Sequence, residues 1–431
     1  MLFIFSITLN GMKTMFRQII SFEKAKEIIN KEINAKPLEM ETVQLEEAYN
    51  RVLAENVKAP FNVPSFNRST VDGYAVRAED TFGASEQTPI KLKLAGRVEI
   101  GEKPDFSLEK GSTAEVATGA AIPDGADAVV MVEYTNLDEN EVLIYRAVAN
   151  GENIMKVGAD IRKGETVLFK GELLDPRKVG VLAALGIKNV KVYRKPKVAV
   201  ISTGPEIIEP GKPLQFGKVY DINSYTLASA VSECGAVPIN LGTVPDEEQK
   251  IREKLKKALE IADVVLTSGG VSVGPHDLMP KILASLSGSR LIICGIAIKP
   301  GKPTTVAVVN DKPVFALPGQ PTSALFTFYL FVRPVLYRMV GKEEKPLRVV
   351  NAFAAEKMFA AKGRRTFTMV YLRKDKEGRF WTHPVEPGLS GAISSLAKAE
   401  GFVEIPENRQ FIDVGEKVQV HLLVEDFPFS H

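Results

Sequence analysis

Between Lys197 and about Val340 the chain alternates short apolar runs with stretches in which apolar residues recur at helical spacing. The runs at 198–201 and 264–266 present no polar position, which predicts buried parallel strands, and the runs at 237–241 and 314–317 predict further strands. The spacing between them predicts helices over 224–234 and 246–261, from near Pro275, and over 321–339, with Gly235 and Gly341 as stops. Repeated strand–helix units of this kind argue for a doubly wound sheet. Nearer the N-terminus, Ser21 precedes Phe22, Ala25, Ile28, Ile29 and Ile33, the signature of an N-capped helix. A second helix is expected over 45–54, and Pro60-Phe61-Asn62-Val63-Pro64 is a stiff connection that marks a boundary. From 65 to 150, short β-like runs at 90–94, 114–117, 128–132 and 142–145 are separated by Gly, Pro and Asp turns, as in a small, mostly-β domain. Asp175-Pro176 opens a further helix that Gly186 ends. Like the helix after Ser21, it stands outside any strand–helix alternation. The two are expected to pack together, with the β domain inserted between them. Runs at 349–353, 367–372, 402–405 and 418–422 predict a small β barrel or sandwich at the C-terminal end.

Three loops carry the candidate chemistry: Thr203-Gly204-Pro205-Glu206, Ser268-Gly269-Gly270-Val271-Ser272-Val273-Gly274, and Lys299-Pro300-Gly301-Lys302-Pro303. Each follows an apolar run, the third a shorter one at 292–298, and so is expected at the carboxyl edge of the sheet, where open α/β folds bind ligands. Glycines there let backbone N–H groups approach an oxyanion, while helix N-termini and lysines supply positive potential. The site expected is one for a phosphorylated or otherwise anionic small molecule.

Composition narrows the class. A chain of 431 residues exceeds one ordinary core. Lys+Arg 55 against Asp+Glu 53 leaves no domain-scale basic excess, so nucleic acid is not the expected partner. Two cysteines, Cys234 and Cys294, and four histidines without ligand spacing exclude a disulfide framework and a zinc enzyme, and the cytoplasm is the default compartment. Residues 1–9 are apolar but too short to span a bilayer, and they lack the flanks of a signal peptide. An early start codon is expected, with Met12 or Met15 as the alternatives.

Each candidate residue also has a local reading. Asp72 and Asp160 could serve their own turns, and Thr118-Gly119 alone is a tight turn. Glu206 at a helix N-terminus is favourable without any function. Asp246 and Gln249 have capping-box spacing ahead of the helix expected at 246–261, and Asp246 also stands at the strand edge. Two consecutive glycines at Gly269-Gly270 exceed what one turn requires and suit close approach of a ligand. Asp277 could cap a helix, and it is the best-placed carboxylate for Mg²⁺. Lys299 and Lys302, set among prolines, are fixed by a loop and form either a solvated basic patch or an oxyanion clamp. Pro318-Gly319-Gln320-Pro321 then presents a helix N-terminus.

Several longer motifs, taken in order, resemble the MoeA family of molybdopterin molybdenumtransferases, which is similar to the E domain of gephyrin. They are Phe66-Asn67-Arg68-Ser69-Thr70-Val71-Asp72-Gly73-Tyr74-Ala75-Val76-Arg77, Ala117-Thr118-Gly119-Ala120, Gly158-Ala159-Asp160-Ile161, Ser202-Thr203-Gly204 and Tyr220-Asp221-Ile222-Asn223-Ser224. The stretches 268–274, 298–303 and Leu317-Pro318-Gly319-Gln320-Pro321 continue the series over nearly the whole chain after Ser21. The resemblance implies a MogA-like doubly wound α/β domain at 196–341 and an inserted mostly-β domain at 61–150. It also implies a helical/β linking domain in two parts, 15–60 and 151–195, and a C-terminal small β barrel at 346–431.

It implies a reaction as well: adenylylated molybdopterin and molybdate or tungstate are converted, with Mg²⁺, to molybdenum cofactor and AMP. An elongated homodimer is implied, with no membrane or nucleic-acid partner. Transient contacts with the molybdopterin adenylyltransferase and with cofactor-accepting enzymes are implied too. By resemblance Asp72 and Thr118 reach the cleft from the partner subunit, and Asp160 lies close to it. Glu206, Asp246 and Asp277 are the catalytic carboxylates of the α/β domain, Asp277 and Asp246 the Mg²⁺ ligands. Gly204, Ser268, Gly269, Gly270, Lys299, Lys302, Pro318, Gly319, Gln320, Pro321 and Ser390 bind substrate. The chain departs from the family pattern where Pro205 replaces an aspartate, Gln320 an asparagine and Met369 an arginine, for which Arg364 or Arg365 would substitute. Two other functions remain open at this point: a molybdopterin adenylyltransferase like MogA, against which the inserted β domain argues, and a non-catalytic pterin-binding scaffold.

Overall fold

The computed structural model describes residues 19–271, 278–344, 346–385 and 393–423. Asp277, Ser390, the helix start near Pro275 and the start-codon alternatives lie outside them. The chain divides into two compact units: one holds residues up to Val43, Asn50–Ala54 and everything from Lys191 onward, the other Gln44–Tyr49 and Glu55–Val190.

In the second unit a six-stranded sheet runs in the order Ala128–Met131, Gly73–Val76, Ser112–Val116, Ile90–Val98, Glu141–Ile144, Thr135–Asp138. Gly73–Val76 is second in this order, paired on both sides and wholly buried. Tyr74 and Val76 pack with Leu92, Val130 and Ile144 on one face, and Ala75 packs with Val98, Val116 and Val129 on the other. The helix Pro176–Ala184 has the predicted cap, Asp175 accepting from the Lys178 amide at 3.0 Å.

Two expectations about helices fail here. Residues 45–54 form only a 3₁₀ turn, Leu45–Glu47. Asn50 takes a positive φ of 60°, Leu53 bridges Val192, and the Ala54 amide donates to Lys191. Strand pairing outcompetes a helix there. The helix Phe22–Glu32 is capped by Ser21 as expected. Its Phe22 packs edge-on against Phe331 and Phe367, so it belongs to the core of the first unit, whereas Pro176–Ala184 falls in the second.

In the first unit the α/β sheet has the order Val237–Val244, Lys197–Thr203, Val264–Ser268, Lys312–Leu317, Thr305–Val309, Ser289–Cys294. The first four strands are parallel, and the last two complete the sheet through antiparallel pairings. Val198, Val200, Leu266 and Phe315 face Leu227 and Val335; Ala199, Ile201, Val265 and Val314 face Ile251, Leu255 and Ile282. Both faces are therefore covered, and for that reason the strands read as unbroken apolar runs. The helix expected over 321–339 is interrupted: Pro321–Thr327 passes through a π-helical turn, Phe328–Val332, into Arg333–Val340. Pro334 supplies no N–H to the preceding turn, and the wider turn accommodates that loss.

The C-terminal strands form a closed barrel. Arg365–Lys374 pairs with Phe380–Pro384, then Val349–Ala354, Lys417–Leu422 and Gly401–Ile405 follow, and the last returns to Arg365–Lys374. Closure decides between barrel and sandwich. No helix among the described residues is long and apolar enough to cross a membrane.

Candidate functional site

The carboxyl ends of the parallel strands place Thr203, Ser268 and Leu317 side by side, with register Ser202↔Ser268 and Ser268↔Leu317. A buried polar network beneath them fixes the edge. Ser202 donates to Asp221 at 2.8 Å, and the Ser224 amide donates to the same oxygen at 3.0 Å. Asn223 donates from Nδ2 to Ser268 Oγ and to the Gly319 carbonyl, each at 2.7 Å, while Ser268 donates to the Pro318 carbonyl at 3.0 Å. Ser268 thus turns inward and ties two loops together. Asp221 and Asn223 both belong to the Tyr220–Ser224 motif. The Asp221-x-x-Ser224 spacing was the signal for them.

The glycines act differently from expectation. The Gly204 amide donates to Val244 and the Gly269 amide to Leu317, so neither is directed at a ligand. What Gly269 provides is room: at φ +100°, a Cβ would lie 2.2 Å from the Thr203 carbonyl oxygen.

Two carboxylates of this edge, Asp246 and Glu206, feel each other's charge. The helix that was to start at Asp246 instead begins at Glu248, with Glu247 as the flanking residue, and Gln249 donates to Glu253. The capping box is not made, and Asp246 is left at the strand end. Solvent reaches its side chain, yet partial desolvation and the negative charge of Glu206 push its carboxyl above the ordinary range, against a smaller opposing effect of the Thr203 hydroxyl. A folded-state pKa above the unfolded one means the folded protein holds this proton more tightly. Its contribution to stability is present at low pH and is lost as pH rises from the unfolded value through the folded one. Glu206→Gln is expected to lower the Asp246 pKa. Carboxyl ¹³C NMR titration reads this directly, and an unchanged midpoint would show that the two groups do not share a field. Among the described residues no three His, Cys, Asp or Glu side chains converge. Carboxylates at such an edge are of the ligand type that Mg²⁺ takes, since it binds through one or two carboxylates, substrate phosphates and water.

The lysine loop lies at the same edge. The run 292–298 is not one strand: Ser289–Cys294 belongs to the α/β sheet, whereas Ile298–Lys299 leaves it and pairs in parallel with Arg365–Thr366 of the barrel. Between sheet edge and barrel is a cavity of about 620 Å³, within the usual range for ligand sites. Lys299, Gly301, Lys302, Gly319, Gln320 and Met369 are among the residues lining it. Arg364 lines it too, whereas Arg365 does not: its guanidinium bonds Glu407 at 2.9 Å, Glu404 at 3.2 Å and Glu23 at 2.5 Å. Of the two substitutes for the arginine replaced at Met369, only Arg364 remains. Lys357, on the cavity wall, is paired with Asp413 at 2.9 Å. No carboxylate pairs with Lys299, Lys302 or Arg364 among the described residues, which leaves three cations around one cavity.

In the other unit, Asp72 accepts from the Thr118 amide at 2.7 Å and from its hydroxyl at 3.0 Å. Those two hydrogen bonds hold its carboxyl below the ordinary range although it is exposed. Asp160 sits in an exposed turn, its amide donating to Val63.

Successive segments of the chain match models of the MoeA N-terminal region (domain I and II) over residues 20–186, a probable molybdopterin binding domain over 199–338, and the MoeA C-terminal region (domain IV) over 351–423. A molybdopterin molybdenumtransferase of Haemophilus influenzae is 36% identical over 398 residues, covering 92% of this chain and 95% of the relative. The chain belongs to the MoeA family. The molybdopterin molybdenumtransferase of Bacillus subtilis is likewise 36% identical, over 90% of this chain and 91% of its own. A crystal structure of a molybdopterin biosynthesis MoeA protein from Pyrococcus horikosii superposes with a TM-score of 0.82 at 43% identity, covering 94% of this chain and 99% of that one. MoeA membership accounts for the pairing of an α/β domain with a small barrel.

Proposed function

We propose that this MoeA protein is a molybdopterin molybdenumtransferase of molybdenum cofactor biosynthesis, acting on adenylylated molybdopterin and a tetrahedral oxyanion, molybdate or tungstate. The observation that carries the reading is the cavity between sheet edge and barrel, lined by Lys299, Lys302 and Arg364, none of which pairs with a carboxylate among the described residues. Three fixed cations in a partly enclosed space stabilise a dianion far more than they would in water. The relatives' names agree with it.

In this reading Lys299 and Lys302 hold the oxyanion beside the pterin dithiolene, whose sulfurs serve as metal ligands, so that no protein cysteine is needed. Gly269 and Gly319 keep the floor of the edge free of side chains. Asp246 and Glu206 would hold Mg²⁺, together with Asp277. Bound there, Mg²⁺ neutralises phosphate charge during cleavage of the adenylate. Asp72 and Thr118 act in trans, from a second copy in a cytoplasmic homodimer.

The test is release of AMP from adenylylated molybdopterin on addition of molybdate or tungstate with Mg²⁺. Oxyanion-dependent release supports the transferase; tight binding without AMP under either oxyanion would identify a scaffold. The trans arrangement has its own signature. Asp72→Ala and Lys302→Ala chains, each inactive, recover on equal mixing about a quarter of wild-type activity, because half the dimers then carry one intact site. No recovery would place both residues in one subunit's site.

A further inference from the structure

One stretch of the α/β domain is held in shape yet leaves its largest apolar side chains in water. Between the paired two-residue strands Ile207–Ile208 and Val219–Tyr220 the chain makes an excursion, 209–218. Its base is fastened: the Val219 amide donates to the Glu206 carbonyl at 2.9 Å, and the Asp221 amide to the Ile208 carbonyl at 2.8 Å. Its body is fastened as well. Lys218 Nζ donates to the Pro205 carbonyl at 2.6 Å, and the Tyr220 hydroxyl donates to the Lys212 carbonyl at 2.9 Å. Nothing in the chain covers Phe216, which is 107% exposed, and Leu214 is 59% exposed. Val219 and Tyr225, just beyond, are more than half exposed. Exposed apolar groups gathered in one place mark interaction surfaces, and aromatic residues are enriched where proteins meet.

The occupant follows from where the loop is rooted. It springs from Glu206, one of the carboxylates that the proposed reaction sets against Asp72 and Thr118 of a second copy. Beside Asp72 the other unit carries an apolar patch. The Val132 amide donates to the Asp72 carbonyl at 3.0 Å, and Val132 and Tyr134, in one 3₁₀ turn, are 49% and 40% exposed. Three residues of chain, about 10 Å at full extension, separate Phe216 from its anchor at Val219. An approach that sets Asp72 against Glu206 therefore also brings the two apolar groups within reach of each other. We propose that residues 209–218 are a docking arm, whose Phe216 and Leu214 seat on Val132 and Tyr134 of a second copy of this chain. The inference rests on the trans arrangement of Asp72 and Thr118. Two-fold symmetry makes the contact twice in each dimer, so that each arm holds Asp72 of the other copy at one site.

The experiment places a photo-crosslinker at the tip, Phe216→p-benzoylphenylalanine, in the full chain. Ordinary and ¹⁵N-labelled preparations are mixed in equal parts, irradiated and digested for mass spectrometry. Crosslinks are expected between labelled and unlabelled chains, landing on the peptide that holds residues 132–134. Sedimentation gives the second readout. Phe216→Ser raises the dimer dissociation constant about a hundredfold, because a buried phenylalanine is lost twice per dimer. Its circular dichroism matches wild type, since the side chain packs against nothing in its own chain. Crosslinks confined to one chain, crosslinks elsewhere on the second copy, or an unchanged dissociation constant overturn the arm. If Asp72→Ala and Lys302→Ala chains still complement each other in that case, the arm alone falls. A wild type that sediments as a monomer at every concentration overturns the trans arrangement and the arm with it.

Discussion

Gly269→Ala lowers the melting temperature of the full chain by roughly 6–12 °C, about 3 kcal/mol of lost stability in a domain of this size. The cause is local and double. The backbone at φ +100° is one that a residue with a side chain rarely adopts, and the added methyl carbon would lie 2.2 Å from the Thr203 carbonyl oxygen. That oxygen cannot withdraw, because Thr203 ends a strand hydrogen-bonded on both sides. Relief would have to come from the Gly269 loop, pulling apart the Asn223 bridge between Ser268 and Gly319. Calorimetry of the variant checks this, and a melting temperature within about a degree of wild type would show that the loop relaxes freely.

Lys299→Ala combined with Lys302→Ala reduces oxyanion-dependent AMP release about a thousandfold while the chain stays folded. Among the described residues neither lysine has a carboxylate partner, so no described ion-pair network would be lost with them. The loop keeps its shape for another reason: at Gly301, φ is +109° and a Cβ would approach Thr327 Oγ1 to 2.7 Å. The measurement is a single-turnover assay beside a molybdate titration. Loss of both turnover and molybdate affinity identifies the clamp. Unaltered molybdate affinity would return the lysines to an ordinary solvated patch.

Much of this fold was legible because patterning and burial agree. The three inner parallel strands of the α/β sheet are buried on both faces, and an unbroken apolar run has few other interpretations. Capped helices were equally plain where Ser21 and Asp175 supply both cap and sequence signal. The failures share a cause, which is tertiary pairing overriding local preference. Residues 45–54 have helical spacing, but Leu53 and Ala54 pair with the strand at 191–192. Asp246 and Gln249 have the spacing of a capping box, and the helix starts two residues later. Gly73–Val76 was not foreseen as a strand, being four residues long and flanked by turn formers.

At the candidate site, the motifs fall along one sheet edge, but the division of tasks along it is not legible in them. Loop glycines were expected to offer amides, and two of those amides close the sheet instead. Arg364 and Arg365 are adjacent and alike in sequence. Only the location of Glu23, Glu404 and Glu407, far apart along the chain, separates the occupied guanidinium from the available one.

The two-residue strand Ile298–Lys299 belongs by sequence to the α/β domain and by hydrogen bonding to the barrel. Anion affinity is therefore the joint property of two folding modules and can be lost without either one melting. A chain cut after Gly341 would retain a sheet, its helices and both lysines, yet nothing would set the lysines' register. The barrel, which also lends Phe367 and Phe402 to the α/β core, acts as the gauge that spaces the charges.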